Sequence, residues 1–292
     1  PIHYASKKGV GTTKEFKRLL KLGVDLEVMT PKGRTPLMMT CLEGEPAKAK
    51  LLIESGVGLD SIDTEGDTAL NYAVYGSNQL VSLLVESGSN LEMRNKKGMT
   101  PLKLACYVGK QGAIEILCEA GANVKLDEFS MQSLIFYILD IKRGKPTTLD
   151  AIIKTLLKYG AAINFKDPHT GNSELHLASA LTGDDYEAWG GKFVGVLKQL
   201  INKGANPWGK NDKGLSPIDF MDKRARSDLA KTFKKYIKGK EKEIAISVES
   251  VEEFKSFYFN QNKYSAEEIY ELLRDGSQAK IGFTAAVEHT IL

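Results

Sequence analysis

Gly33-Arg34-Thr35-Pro36-Leu37 recurs as Gly66-Asp67-Thr68-Ala69-Leu70 and again as Gly98-Met99-Thr100-Pro101-Leu102, at intervals of 33 and 32 residues. A second string keeps step with it: Leu52-Ile53-Glu54-Ser55-Gly56, Leu84-Val85-Glu86-Ser87-Gly88 and Leu117-Cys118-Glu119-Ala120-Gly121. A fixed period of this length marks a repeat architecture, in which each unit buries its apolar face only by stacking on its neighbours. Within a unit, Thr35 before Pro36 reads as a helix start. The threonine caps the first turn, and proline sits where its missing N–H costs nothing. Small residues such as Ala73, Ala105 and Ala178 let this first helix pack closely. A second helix carries an apolar stripe (Ile114, Ile116, Leu117, Cys118) and stops at Gly121, which tolerates a left-handed cap. A polar turn such as Asn95-Lys96-Lys97-Gly98 then opens the next unit.

These strings resemble the ankyrin repeat, with its Gly-x-Thr-Pro-Leu opening and its Leu-Leu-x-x-Gly-Ala-Asp close. The resemblance extends outward from the three clean units. Residues 1–5 look like the start of a first repeat without its hairpin, closed by Leu19 to Asp25. A fifth unit opens irregularly at Ser133 and closes at Leu156-Leu157-Lys158-Tyr159-Gly160-Ala161. A sixth runs from Gly171 to Asn206, and a last one opens at Gly214-Leu215-Ser216-Pro217. The expectation is an all-α solenoid of about seven units with short hairpin-like turns over residues 1–239. Residues 240–292 would form an acidic helical tail or the start of another domain. His3 and His176, at the family's Pro-Leu-His position, are expected to bond neighbouring turns and not to act as ligands or bases.

The array departs from its own pattern in two adjacent units. Between Tyr137 and Ala151 the link between helices is long, and between Leu181 and Phe193 the chain inserts a stretch containing Trp189. Such insertions often sit on a binding face. The resemblance also implies a partner-binding surface on hairpin tips and the ends of first helices. Carried over by position, it includes Lys32, Arg34, Asp67, Tyr75, Lys97, Met99, Tyr107 and Phe129, with Trp189 added from the insertion. Tyr75 and Tyr107 occupy matching places in successive units, and a rigid aromatic pair beside lysine suits a protein partner.

Charged residues make up 26% of the chain and hydrophobic ones 42%, ordinary values for a globular protein. No apolar run approaches the roughly 18 residues of a membrane span. Three cysteines without ligand-like spacing read as reduced core residues, which favours an intracellular, cytoplasmic setting. No phosphate loop, nucleophile elbow or paired metal motif is present, so no catalytic residues, metal or cofactor are expected and no small-molecule substrate is assigned. The last repeat is crowded with Arg224, Arg226, Lys231, Lys234, Lys235 and Lys238, whereas residues 240–292 hold 6 Lys or Arg against 10 Asp or Glu.

The reading that follows is a monomeric, non-catalytic interaction module or scaffold with a protein partner. One alternative makes the chain the targeting part of a larger enzyme or of a bacterial effector acting in a host cytoplasm. Another has the basic final repeat bind an anionic membrane or nucleic acid.

Overall fold

The computed structural model describes residues 2–127, 132–140, 146–180, 193–219, 230–231 and 233–239. Contacts divide the chain into two compact units: Pro1–Leu134 with Arg143–Ala161, and Ile135–Lys142 with Ala162–Leu292.

The first unit is built of helix pairs. They are α1 (Ile2–Ala5) with α2 (Thr13–Lys21), α3 (Pro36–Glu43) with α4 (Pro46–Glu54), α5 (Ala69–Gly76) with α6 (Asn78–Glu86), and α7 (Pro101–Val108) with α8 (Gln111–Glu119). Each first helix starts as its sequence dictates. The hydroxyls of Thr35, Thr68 and Thr100 accept the backbone N–H of Met38, Asn71 and Lys103, and Pro36 and Pro101 occupy the first helical turn. Leucines and alanines then fill the space between successive pairs: Leu37, Leu70, Leu102, Ala73 and Ala105 are at most 1% exposed. First helices pack on first helices and second on second. Spacing is close where a Cβ placed on Gly76 of α5 would lie 2.6 Å from the Cys41 carbonyl oxygen in α3. Gly23, Gly56, Gly88 and Gly121 close the second helices at φ between 68° and 91°, the left-handed caps the sequence anticipates.

Two series of bonds run along the stack. At the hairpin tips, Thr64 N–H donates to Lys32 O (3.0 Å) and Lys96 N–H donates to Glu65 O (2.9 Å). At the loops after the second helices, an acidic side chain accepts a backbone N–H from the following repeat. Glu27 accepts from Gly58 (2.7 Å), Asp60 from Asn90 (3.0 Å) and Glu92 from Asn123 (2.8 Å). The next residue at this register is Lys125, which has no acceptor to offer. Beyond it, β1 (Leu126–Asp127) pairs antiparallel with β2 (Gln132–Ser133), with Leu126 opposite Ser133. The long connection expected in the fifth repeat is in part helix: α10 (Pro146–Lys158) has 13 residues where its counterparts α4, α6 and α8 have 9. Gln111 of α8 donates to Thr155 Oγ1 of α10 at 2.7 Å.

The second unit repeats the same devices. It holds α9 (Leu134–Asp140, from Ile135 onward), α11 (Glu174–Ala180), α12 (Phe193–Asn202) and helical residues 233–239. Phe136 meets Phe165 edge to face at 4.9 Å, and Asn206 N–H donates to Asn164 Oδ1 at 3.1 Å. The two histidines act as expected, each within its own unit. His3 Nε2 reaches Arg34 O at 3.0 Å and His176 Nε2 reaches Leu215 O at 2.9 Å. Ser173 N–H approaches His176 Nδ1 at 3.0 Å, which makes Nδ1 the acceptor and places the proton of the neutral ring on Nε2. All three cysteines are buried thiols, and burial pushes Cys41 up to about 12.

Candidate functional site

The hairpins of the first unit are held by one device. In the third repeat Asp63 Oδ1 accepts the N–H groups of Glu65 (2.8 Å) and Asp67 (2.9 Å). In the fourth, Asn95 Oδ1 accepts those of Lys97 and Met99 (both 3.0 Å). These Asx turns fix the tips without help from any partner. Asp63 does more. Its second oxygen accepts Tyr72 Oη–H at 2.5 Å and faces Arg34 Nε at 3.8 Å, while Arg34 Nε also donates to Tyr72 Oη at 2.8 Å. Burial works against the charge on Asp63, but the bonds from Tyr72 and from two backbone N–H groups, with Arg34 beside them, outweigh it. They hold the carboxyl below the ordinary range. Burial and the same carboxylate raise the Tyr72 phenol.

Arg34 is thereby tied into the hairpin, its guanidinium 5.0 Å from the Tyr72 ring centre. Asp67 is likewise engaged inside the chain, accepting Asn95 Nδ2 at 2.9 Å across successive tips. Asn172 accepts Asn211 Nδ2 in the same way in the second unit, at 2.8 Å. Burial raises the Asp67 carboxyl despite that bond. Both residues are half-exposed and bonded within the chain at once.

Other residues here are more exposed. Lys32, Glu65, Lys96 and Lys97 are exposed at the tips. Leu42, Tyr75 and Tyr107 each stand nine residues after the opening glycine of their repeats, near the ends of α3, α5 and α7. Leu42 is 37% exposed and Tyr75 47%, and Tyr107 is half-buried. Burial raises the Tyr75 phenol, as do the neighbouring Asp67 carboxylate and Tyr107. Met99 is half-buried at the fourth tip. Phe129 and Trp189 lie outside the described residues, as do residues 240–292.

Met29 and Ile62, which sequence reasoning passed over, are 53% and 51% exposed. They stand 33 residues apart, each just before its hairpin's first turn residue. The signal was the period itself: two large apolar residues in register, outside both helices of the unit.

Among the described residues, no group of three or more His, Cys, Asp or Glu could hold a metal ion. No described helix is long and apolar enough to cross a membrane. A cleft of about 20 Å³ lies between Glu92, Arg94, Lys103, Asn123 and Lys125, room for a water molecule. On the last helical segment Lys231, Lys234, Lys235 and Lys238 are exposed, and Tyr236 Oη donates to Asn202.

The family profile "Ankyrin repeats (3 copies)" matches residues 2–95. The B-cell lymphoma 3 protein homolog of Mus musculus is 26% identical, over 78% of this chain and 49% of that protein. Phosphocholine transferase AnkX of Legionella pneumophila is 31% identical over 67 residues, which are 23% of this chain and 7% of the enzyme. The chain thus spans half or less of the length of these relatives. Among solved structures, the ankyrin repeat domain of Bcl-3 aligns with a TM-score of 0.62 at 24% identity, covering 78% of this chain and 97% of that one. That of human ASB11 aligns at 0.58 and 24%, covering 75% and 90%. An ankyrin repeat domain from Acinetobacter baumannii aligns at 0.57 and 23%, covering 70% and 98%.

Proposed function

The chain is an ankyrin-repeat protein, and from that premise we propose that it is a non-catalytic module holding a protein partner on the row Leu42, Tyr75 and Tyr107. Ankyrin repeats are protein-interaction modules. Hairpin tips bearing Lys32, Glu65, Lys96 and Lys97 border the row. The observation that carries this reading is Tyr75, a large aromatic left 47% exposed beside its counterpart Tyr107 on a scaffold whose tips are fixed by their own bonds. Tyrosine suits such a place because it offers a wide amphipathic contact and loses little rotamer freedom on binding. Preorganised tips lower the cost of association further.

The test is a pull-down from cell lysate with the parent chain and a Tyr75→Ala/Tyr107→Ala variant, at low and moderate salt. A protein recovered by the parent at both salts and lost by a folded variant is the expected result. If the variant retains every partner, this row is not the binding site.

The Legionella likeness favours a second reading, in which the array is the targeting part of a larger enzyme or effector. An immunoblot of the source cell separates the two readings. A band well above 32.1 kDa supports the larger protein, and a band at that mass removes it.

A further inference from the structure

We propose that the partner presents an acidic polyproline-II segment to the row, with one apolar side chain per turn seated at Leu42, Tyr75 and Tyr107. This rests on the reading that the row is the binding surface. Its basis is the fit between the spacing of the row and the period of an extended chain.

Leu42, Tyr75 and Tyr107 occur once per repeat, on first helices that pack directly on one another. Packed helices lie about 8–10 Å apart, and the close approach of Gly76 to Cys41 O holds α5 against α3. A polyproline-II helix returns the same face every three residues, a rise of about 9 Å. A β-strand presents one face about every 7 Å and falls out of step within two repeats. An α-helical ligand needs anchors at i, i+3 or i+4, and i+7, about 5–6 Å apart. The row offers one anchor per repeat and leaves the intermediate anchor without a seat.

Backbone chemistry points the same way. A ligand adding itself as a strand needs free N–H and C=O groups along an edge. At the hairpin tips the N–H groups of Thr64 and Lys96 are already given to Lys32 O and Glu65 O. A polyproline-II segment keeps its own backbone solvated and asks for none. Charge supplies the remaining selection. Lys32, Lys96 and Lys97 are exposed at the tips, against an exposed Glu65 and a half-buried Asp67 bonded to Asn95. Acidic residues between the apolar ones meet those lysines.

The experiment measures fluorescence anisotropy of three labelled peptides with the full chain. The first is (Pro-Glu-Leu)4. The second has the same composition with irregularly spaced leucines. The third is an alanine-rich helix with leucine every seventh residue and the same number of glutamates. The first is expected to bind saturably and about 10-fold or more tighter than the other two. Tyr75→Ala is expected to weaken it about 10-fold or more, and Lys97→Glu to weaken it and flatten its salt dependence. Equal binding of the irregular peptide, equal or tighter binding of the helix, or no saturation of the first peptide by about 1 mM overturns the proposal. Competition separates this failure from failure of the row. A lysate partner lost with the tyrosines but not displaced by (Pro-Glu-Leu)4 leaves the row standing and removes its polyproline-II occupant.

Discussion

Replacing Asp63 by Asn tests how the hairpins are held. The change looks mild, because Asn95 does the same turn-forming work one repeat later through two bonds of 3.0 Å. The amide can still accept from Glu65 and Asp67 N–H. Its remaining group is then NH2, turned toward a Tyr72 oxygen that already receives Arg34 Nε at 2.8 Å. The phenol proton loses its acceptor at a residue only 6% exposed. Losing a hydrogen bond to a charged acceptor costs about 1.5–3 kcal/mol. The Arg34 pair, with the arginine side chain 26% exposed, adds less than about 1 kcal/mol. The expected loss is therefore about 2–3 kcal/mol, a large part of the ~5–15 kcal/mol that holds a typical domain. Urea unfolding followed by far-UV circular dichroism at pH 7 measures it, with Tyr72→Phe and the double variant completing a cycle. Phenylalanine carries no proton in need of an acceptor, so the double variant should lose less than the two single changes together. The folded carboxyl lies below its ordinary 3.8, so its contribution is present above that value and is lost only as pH falls through the lowered one. The difference between parent and variant should accordingly persist from pH 7 to about pH 5. A loss under about 0.5 kcal/mol, or simple additivity, refutes the reasoning.

Two further outcomes follow from single contacts. Gly76→Ala should destabilise the first unit by about 1–2 kcal/mol. The gain in helix propensity, about 1 kcal/mol at most, is outweighed by a Cβ driven to 2.6 Å from a backbone oxygen; a higher urea midpoint would show that the carbonyl yields. His176, whose pKa burial lowers, should make the second unit acid-sensitive. The neutral ring is kept on folding, so stability present above its ordinary 6.5 is lost as pH falls from there toward the lowered value. Thermal melts from pH 7.5 to 5 compared with His176→Gln check this, and an equal slope in both proteins removes His176 as the cause.

The fold was open to sequence reading because its instructions are local and repeated. Thr35, Thr68 and Thr100 cap helices with their own hydroxyls, and Gly56, Gly88 and Gly121 end them by backbone conformation alone. The site was legible only in part, because its assignments depend on pairs distant in the chain. Arg34 and Asp67 stand at outward-looking positions of the motif, but Tyr72 engages Arg34 from 38 residues away and Asn95 engages Asp67 from 28. No local pattern encodes either bond. Tyr75 and Tyr107 were visible because period and aromatic character coincide. Met29 and Ile62 carry the same period but lie outside the two recurring strings. The length of α10 was hidden for another reason. Residues around Pro146 read as loop by composition, whereas proline in the first turn of a helix is no obstacle to it.

The acidic acceptors at Glu27, Asp60 and Glu92 have a consequence for how such a chain can evolve. Acceptor and recipient N–H each recur every 32 or 33 residues, so each repeat carries one half of the joint before it and one half of the joint after it. Duplicating or excising a whole period in the gene therefore recreates a complete joint at the new boundary, whatever the neighbour. Growth or loss by whole units keeps these joints complete, and Lys125 marks a place where a spliced-in unit would find no carboxylate waiting.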